Sequence, residues 1–167
     1  MRTNHFITIV AFLLFTSCGY KPSSHYIQNI FTEDIFVQVN IDKAEPENAP
    51  FVKDEINRLV YTRFKGRVTS REKSSSQITV SYAGSTFNPI SYENGFVTRY
   101  SANIRVNFDM VTKKGRVKKS ISAIVESDIQ SSSLLSASLR NDAIKKGLEK
   151  ALNEFVAFVS AKGVLSK

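Results

Sequence analysis

The residue with the most specific chemistry in this sequence is Cys18, the only cysteine among 167 residues. It follows an apolar run from Phe6 to Phe15 and the small residues Thr16 and Ser17. The run is too short for a membrane-spanning helix, which needs about 20 apolar residues, and its layout after a basic N-terminus is typical of a bacterial secretion signal. We therefore expect residues 1–17 to be a signal peptide and the thiol of Cys18 to be acylated, because its surroundings resemble a lipobox.

An acylated cysteine would fix the location of the protein. Several acyl chains on one residue anchor stably, because each buried methylene contributes about 0.8 kcal/mol. Gly19 follows the cysteine where an aspartate would favour the inner membrane, so we expect a lipid-anchored protein on the periplasmic side of the outer membrane. Residues 18–34 contain Pro22 and several Ser and Asn residues, which predicts a lipidated N-terminus and a tether, and residues 35–167 form a single domain.

Residues suited to catalysis or metal binding are scarce. After the predicted signal the chain keeps one histidine, His25, and no free thiol. The carboxylate pair Asp54–Glu55 falls on the water-facing side of a predicted helix, and the glycines are isolated rather than clustered in a phosphate-binding loop. We therefore expect no enzyme, no metal and no cofactor, but an interaction protein.

A cluster of positive charge is the first candidate contact site. Five basic residues fall within seven positions: Lys113, Lys114, Arg116, Lys118 and Lys119. They could bind anionic lipid phosphates, where each lysine contributes roughly 1 kcal/mol. They could equally keep a sheet edge soluble and unpaired. The net charge of +8 suits acidic partners generally, and the exported location argues against nucleic acid.

An exposed apolar turn is the second candidate. An Asn-Gly pair between two strand-like runs is the strongest short hairpin signal, and here aromatic residues flank it. We expect a hairpin tip that contacts a partner, formed by Tyr92, Asn94, Gly95 and Phe96.

The element that must position both sites is one long strand. From Arg99 to Met110 every even position is apolar and the odd positions are polar, which is the period of a strand with one dry face and one wet face. The even face must therefore be covered by another layer: Tyr100, Ala102, Ile104, Val106, Phe108 and Met110.

The remaining elements follow from their own periodicities. Alternation predicts strands at Ile35–Ile41, at Gln77–Tyr82 with interruptions at Gly84 and Pro89, and at Lys118–Asp128. Apolar spacings of three and four predict a helix from Pro50 to the C-cap Gly66, and a longer one from Leu139 to Lys162, ended by Gly163. Residues 68–76 are predicted to be a connection. The order β-α-β-β-β-α predicts an α+β two-layer sandwich, with a four-stranded, mostly antiparallel sheet covered on one face by two helices.

In combination these features resemble the lipopolysaccharide-assembly lipoprotein family (LptE-like). The resemblance runs from Cys18-Gly19-Tyr20, through the order of elements and the hairpin Tyr92–Tyr100, to Lys162. It implies a protein that plugs and helps to assemble a large β-barrel translocon (LptD-like) and contacts lipopolysaccharide. The family has a basic residue just before the Asn-Gly turn, whereas this chain has Glu93, so the basic residues from Lys113 onward are the candidate lipopolysaccharide contacts.

A second function class fits the same features. An outer-membrane lipoprotein adaptor that regulates a cell-wall synthase or another envelope machine would also have a tether and a small α+β domain. Only about fifteen residues separate Cys18 from the first strand, and they span at most about 50 Å. This short reach favours a partner at the outer membrane.

Overall fold

A computed structural model of the chain describes residues 26–129 and 136–165. The helices and strands, in chain order, are β1 (Asp34–Ile41), α1 (Ala49–Leu59), β2 (Arg67–Val68), β3 (Ser76–Glu93), β4 (Phe96–Thr112), β5 (Gly115–Asp128) and α2 (Ala137–Leu165). Short 3₁₀ turns lie at Pro46–Asn48 and Arg71–Lys73, and α1 continues into a π-helical turn at Val60–Phe64. The predicted signal peptide and Cys18 lie outside the described residues.

The five strands form one mixed sheet in the order β2-β1-β3-β4-β5. β1 runs parallel to β2 and β3, while β3, β4 and β5 form an antiparallel meander. The α+β class with two helices is confirmed, but the predicted number of four strands is wrong. The additional strand, β2, lies beside the start of β1, where the Arg67 amide donates to the Glu33 carbonyl at 2.6 Å. Two residues are too few to show a periodicity in the sequence.

The helices cover the even face of β4, as its alternation predicted. Ala102, Ile104, Val106, Phe108 and Met110 are all buried. The ring of Phe108 stacks on Phe155 of α2 with centroids 4.0 Å apart, and Phe64 after α1 lies 6.2 Å from the same Phe155 ring. The core therefore joins β4 to both helices.

Two glycines of α2 allow it to lie close to its neighbours. A Cβ at Gly147 would clash with the side chain of Ile104, and one at Gly163 would clash with the carbonyl group of Tyr26. The prediction that Gly163 ends the helix is wrong, because α2 continues to Leu165. Close approach, rather than a C-cap, is the reason for glycine there. At the end of α1 the left-handed conformation belongs to Lys65, with φ 55°, and not to the predicted Gly66.

The end of the predicted tether packs against the domain. Residues 26–30 form a helical turn, in which the Ile30 and Phe31 amides both donate to the Ile27 carbonyl at 2.9 Å. Ile27 is fully buried and Phe31 is 4 % exposed, and the Phe31 ring stacks on Phe64 at 5.0 Å. This segment lies beside the C-terminal end of α2, where Asn29 Nδ2 donates to the Gly163 carbonyl at 3.3 Å.

A β-bulge in β3 is held by the carboxylate of Glu45. The register shifts between Tyr82 and Ser85, and Gly84 has a φ of 89°, so the predicted interruption at Gly84 is a bulge. Glu45 accepts hydrogen bonds from the Tyr82 hydroxyl (2.5 Å), the Ser85 amide (3.0 Å) and hydroxyl (2.8 Å), and Asn48 Nδ2 (3.0 Å). Burial, together with the bond to Glu45, raises the pKa of the Tyr82 hydroxyl. The carboxylate thus fixes the loop after β1 to the sheet.

Glu45→Gln is expected to lower the free energy of unfolding by about 1–2 kcal/mol. A carboxylate presents only acceptors to these donors, whereas an amide would turn an NH₂ group toward one of them. Urea unfolding followed by circular dichroism measures the change. Glu47→Gln, on an exposed carboxylate in the same loop, is the control and should change stability by less than about 0.5 kcal/mol. Equal losses in the two variants would contradict the role of Glu45.

Candidate functional site

Two β-hairpins carry the predicted contact residues, and they lie at opposite ends of the sheet. Hairpin A joins β3 to β4 through a turn at residues 94–95, and hairpin B joins β4 to β5 through a turn at residues 113–114. β4 has 17 residues, so at about 3.2–3.4 Å per residue, and less where the strand twists, the turns are somewhat more than about 50 Å apart. We call the hairpin A end distal. The hairpin B end, where β1 and β3 also begin, is called proximal.

Hairpin A presents its aromatic residues to solvent. Asn94 and Gly95 both have positive φ, 50° and 82°, which is the two-residue turn that matches the twist of the flanking strands. Tyr92 is 63 % exposed and Phe96 is 58 % exposed. The structure therefore brings the predicted tip residues together at one exposed turn.

Hairpin A also extends beyond the rest of the sheet. The last pair that β4 makes with β5 is Arg99 with Asp128, so the residues closer to the tip form a two-stranded ribbon. The register shifts at Ile90, between Pro89 and Ser91, and the Ile90 side chain is 46 % exposed. The exposure of this third apolar residue was not predicted from the sequence, although Pro89 within a strand is a bulge signal.

The five basic residues around hairpin B do not form one patch. Lys113 and Lys114 occupy the exposed turn. Arg116 and Lys118 pair with Val111 and Asp109 of β4, on the face opposite the helices, whereas Lys119 pairs with Phe108 on the helix face. The Lys119 ammonium lies 5.5 Å from the ring centroid of Phe158 in α2.

The charge of Arg116 is largely occupied by a neighbour. Its guanidinium donates to both carboxylate oxygens of Asp109, at 2.8 and 2.5 Å, and this hydrogen bonding holds the pKa of Asp109 below its usual value. The pair is solvent-exposed and adds little to stability. Lys113 and Lys114 lie exposed at the turn itself, where an external anion can reach them.

The face of the sheet opposite the helices is polar throughout its centre. It presents amides and hydroxyls from four adjacent strands, with few charges: Gln38, Asn40, Thr79, Ser81, Asn107, Ser120 and Ser122. The Asn103 Oδ1 atom is buried on this face without a hydrogen-bond partner among the described residues. The face is suited to hydrogen bonding with a polar surface or with water.

Within the described ranges, the side chains give no sign of a metal centre or a membrane span. No three His, Cys, Asp or Glu side chains of these residues lie together. No helix in the same part of the chain has the length and apolar character to cross a bilayer. The chemistry that these residues offer is contact: an apolar tip, a polar sheet face and a pair of turn lysines.

Comparison with known proteins identifies a family and a fold. Residues 36–157 match the family model LptE, described as lipopolysaccharide-assembly. Rare lipoprotein B from Shewanella oneidensis is similar with a TM-score of 0.54 and 14 % identity, over 77 % of this chain and 96 % of that one. Lipoprotein B from Nitrosomonas europaea is similar with a TM-score of 0.53 and 17 % identity, over 77 % of this chain and 85 % of that one. Protein XCC0632 from Xanthomonas campestris is similar with a TM-score of 0.56 and 10 % identity, over 83 % of this chain and 90 % of that one. A search of curated proteins by sequence found no match.

Proposed function

Because the chain belongs to the lipopolysaccharide-assembly family LptE, we propose that it is an outer-membrane lipoprotein that plugs a β-barrel translocon and helps it to assemble. In this proposal Cys18 carries the acyl chains, the barrel is LptD-like, and lipopolysaccharide is the cargo delivered to the cell surface. The role in lipopolysaccharide assembly follows from the family, which is one of non-enzymatic lipoproteins. The barrel, the anchor and the outer-membrane location are the proposed parts.

The observation that carries the barrel proposal is the projecting apolar tip of hairpin A. Ile90, Tyr92 and Phe96 are each about half exposed or more, and they lie on a two-stranded ribbon that no third strand among the described residues pairs with. Apolar side chains grouped on an exposed projection mark a protein contact rather than a soluble surface. Aromatic residues in particular contribute much of the binding energy of protein interfaces.

The size and polarity of the domain support the same proposal. Five strands about 4.8 Å apart give a sheet roughly 20 Å wide, and the helix layer adds about 10 Å in depth. A rod of this cross-section, some 50 Å long, suits the lumen of a large barrel, whose inner wall is polar. The amides and hydroxyls on the open sheet face could hydrogen-bond to such a wall without burying unpaired charge.

The turn of hairpin B supplies a second kind of contact. Lys113 and Lys114 are adjacent and exposed, and ammonium groups recognise phosphate as point charges. Lipopolysaccharide and phospholipid headgroups both carry phosphate. We propose that this turn, which lies at the proximal end of the domain, contacts the phosphates of lipids as a class.

Replacing the aromatic tip should release the barrel. For Tyr92→Ser combined with Phe96→Ser, we expect co-purification of the barrel from outer membranes to fall at least tenfold, because burying each ring is worth about 1.5–3 kcal/mol. The measurement is recovery of the barrel by a tagged chain in mild detergent, quantified by mass spectrometry. Stability should hardly change, since both rings are exposed in the free domain.

A matched control replaces two comparably exposed apolar residues elsewhere. Tyr61, in the π-helical turn after α1, is 54 % exposed and Val164 in α2 is 47 % exposed, and the double change to serine should leave recovery of the barrel unaltered. Equal recovery with both double variants would remove hairpin A from the interface. Recovery of a cell-wall synthase in place of a barrel would favour the adaptor function instead.

A further inference from the structure

The N-terminal segment that leads into β1 joins the domain at the proximal end. α2 runs in the same direction as β4, because Gly147 lies at Ile104 and Phe155 lies at Phe108. Gly163, two further turns along α2, therefore lies near the end of β4, and it contacts Tyr26. Residues 26–33, which lead into β1, are thus at the hairpin B end of the sheet.

The distance from this point to the proposed anchor is short. Eight residue steps separate Cys18 from Tyr26, and even fully extended they span no more than about 29 Å. The domain is roughly 50 Å long. An anchor at Cys18 consequently holds the proximal end near the bilayer surface, while hairpin A can lie far from it.

The proximal end is also the basic end of the domain. Five cationic side chains are exposed there, from the segments before β2 and β3 and from hairpin B: Lys65, Arg71, Lys73, Lys113 and Lys114. Three of the four carboxylates at this end are held by arginines, Glu33 and Asp34 by Arg67 at 3.4 and 3.2 Å and Asp109 by Arg116 at 2.5 Å. Counting Glu72 as the fourth, four carboxylates at this end stand against seven cations, the five above with Arg67 and Arg116, so the net charge of the proximal end is positive.

The distal end has the opposite balance. Glu93 lies beside the hairpin A turn, Glu126 and Asp128 share Arg99, at 3.8 and 2.6 Å, and Arg140 lies 4.8 Å from the Phe87 ring on the same side. The domain is therefore electrically polarised along its long axis, with its positive end beside the proposed anchor. Charges that served only for solubility would need no such alignment with the tether.

We propose that the proximal end docks on the anionic phospholipid headgroups of the leaflet that holds the acyl chains, and so orients the domain with hairpin A directed away from that leaflet. This inference rests on the proposed acylation of Cys18. The surface combines Lys113 and Lys114 with Lys65, Arg71 and Lys73, which are distant in sequence. Each lysine near an anionic surface contributes about a fivefold gain in binding, and salt weakens the attraction because exposed charges are screened.

The test measures how close each end lies to the lipid. The lipidated chain is purified in detergent and reconstituted into vesicles, and mass spectrometry of the Cys18 peptide first establishes that the anchor is present. Since Cys18 is the only cysteine and is blocked when acylated, Ser75→Cys or Asn88→Cys adds one reactive thiol for a fluorophore. Both positions are exposed, Ser75 at the proximal end and Asn88 on the side of hairpin A.

Headgroup-linked quencher lipids then report the orientation. With phosphatidylcholine mixed with phosphatidylglycerol, we expect strong quenching at position 75, little at position 88, and loss of the difference in high salt. Vesicles of phosphatidylcholine alone should show weak quenching at both positions. Equal quenching of the two labels, or quenching at position 75 that needs lipopolysaccharide in place of phosphatidylglycerol, would overturn the inference.

Charge-neutral variants complete the test. Lys65→Gln, Lys73→Gln and Lys113→Gln together should abolish the quenching at position 75, while the same changes at Lys43, Lys53 and Lys146, also exposed, should leave it intact. Equal effects of the two triple variants would show a response to net charge alone and would overturn the proposed surface. The proximal triple variant should still co-purify the barrel, so failure of docking and failure of the proposed function give different results.

Discussion

Phe108→Ala is expected to lower the free energy of unfolding by about 3–5 kcal/mol. Phe108 is 1 % exposed, and its ring stacks on Phe155 at 4.0 Å with an angle of 7° between the planes. The substitution removes buried area from β4 and leaves a cavity at the contact with α2. Because a whole domain is stable by only about 5–15 kcal/mol, urea unfolding should show a large decrease in the midpoint.

Arg105→Ala in the same strand is the control. Arg105 lies on the opposite face and is exposed, so its replacement should cost well under about 1 kcal/mol. Both variants replace a large side chain of one strand by alanine, three positions apart and on opposite faces. If they unfold at the same urea concentration, the assignment of faces to β4 is wrong.

Gly147→Leu is expected to destabilise the domain by about 2 kcal/mol, the net of overpacking at the upper end of its usual range and the gain from losing a helical glycine. Even a Cβ at this position would lie 2.7 Å from Ile104 Cγ1 and 3.0 Å from Ile104 Cβ, and a full leucine must push α2 off β4. Overpacking of this kind costs typically 1–3 kcal/mol or more, well above the roughly 1 kcal/mol that a helix gains by losing a glycine. Thermal and urea unfolding both measure the loss.

Two further variants separate overpacking from other effects of leucine. Ala157→Leu, on the exposed side of α2, should change stability by less than about 0.5 kcal/mol. Ile104→Ala creates room below Gly147, so the double variant should cost at least about 1 kcal/mol less than the sum of the single variants. Simple additivity would contradict the contact between residues 104 and 147.

The layers of the fold could be predicted because they depend on local periodicity. The alternation of β4 placed Ile104, Val106 and Phe108 in the core, and the spacing of apolar residues placed Leu148 and Leu152 of α2 there as well. Hairpin A followed from the Asn-Gly pair alone, since only a few residue types adopt two consecutive positive φ values. Each of these signals lies within about ten residues of sequence.

Features that depend on distant contacts could not be predicted in this way. Nothing near Glu45 in sequence indicates that its carboxylate meets the bulge at Tyr82 and Ser85, some 40 residues away. Gly163 resembles a helix end in the sequence because the neighbour that requires glycine, Tyr26, lies 137 residues earlier in the chain. β2 exists only through its pairing with β1.

The basic residues around hairpin B lie on different faces of the sheet, and the sequence alone could have shown this. Lys118 and Lys119 are adjacent in a strand, so period-two alternation alone assigns them to opposite faces. Lys119 shares the face of Ile121 and Ala123, which the sequence had already assigned to the core. Counting the basic residues within seven positions did not take this alternation between faces into account. The cations at Lys65, Arg71 and Lys73 reach the same end of the domain only through the tertiary fold.

The contact between Asn29 and Gly163 also constrains the order in which the chain can fold. It spans 134 residues, so its formation closes a loop almost as long as the domain, and such closures come late. In an exported chain that emerges from its N-terminus, residues 26–33 can contact Phe64 and β2 first, but the contact of Asn29 with Gly163 must wait for α2. If Cys18 is acylated as proposed, its acyl chains would be attached before this last contact forms. The final step of folding would then draw the domain against an anchor that is already in place.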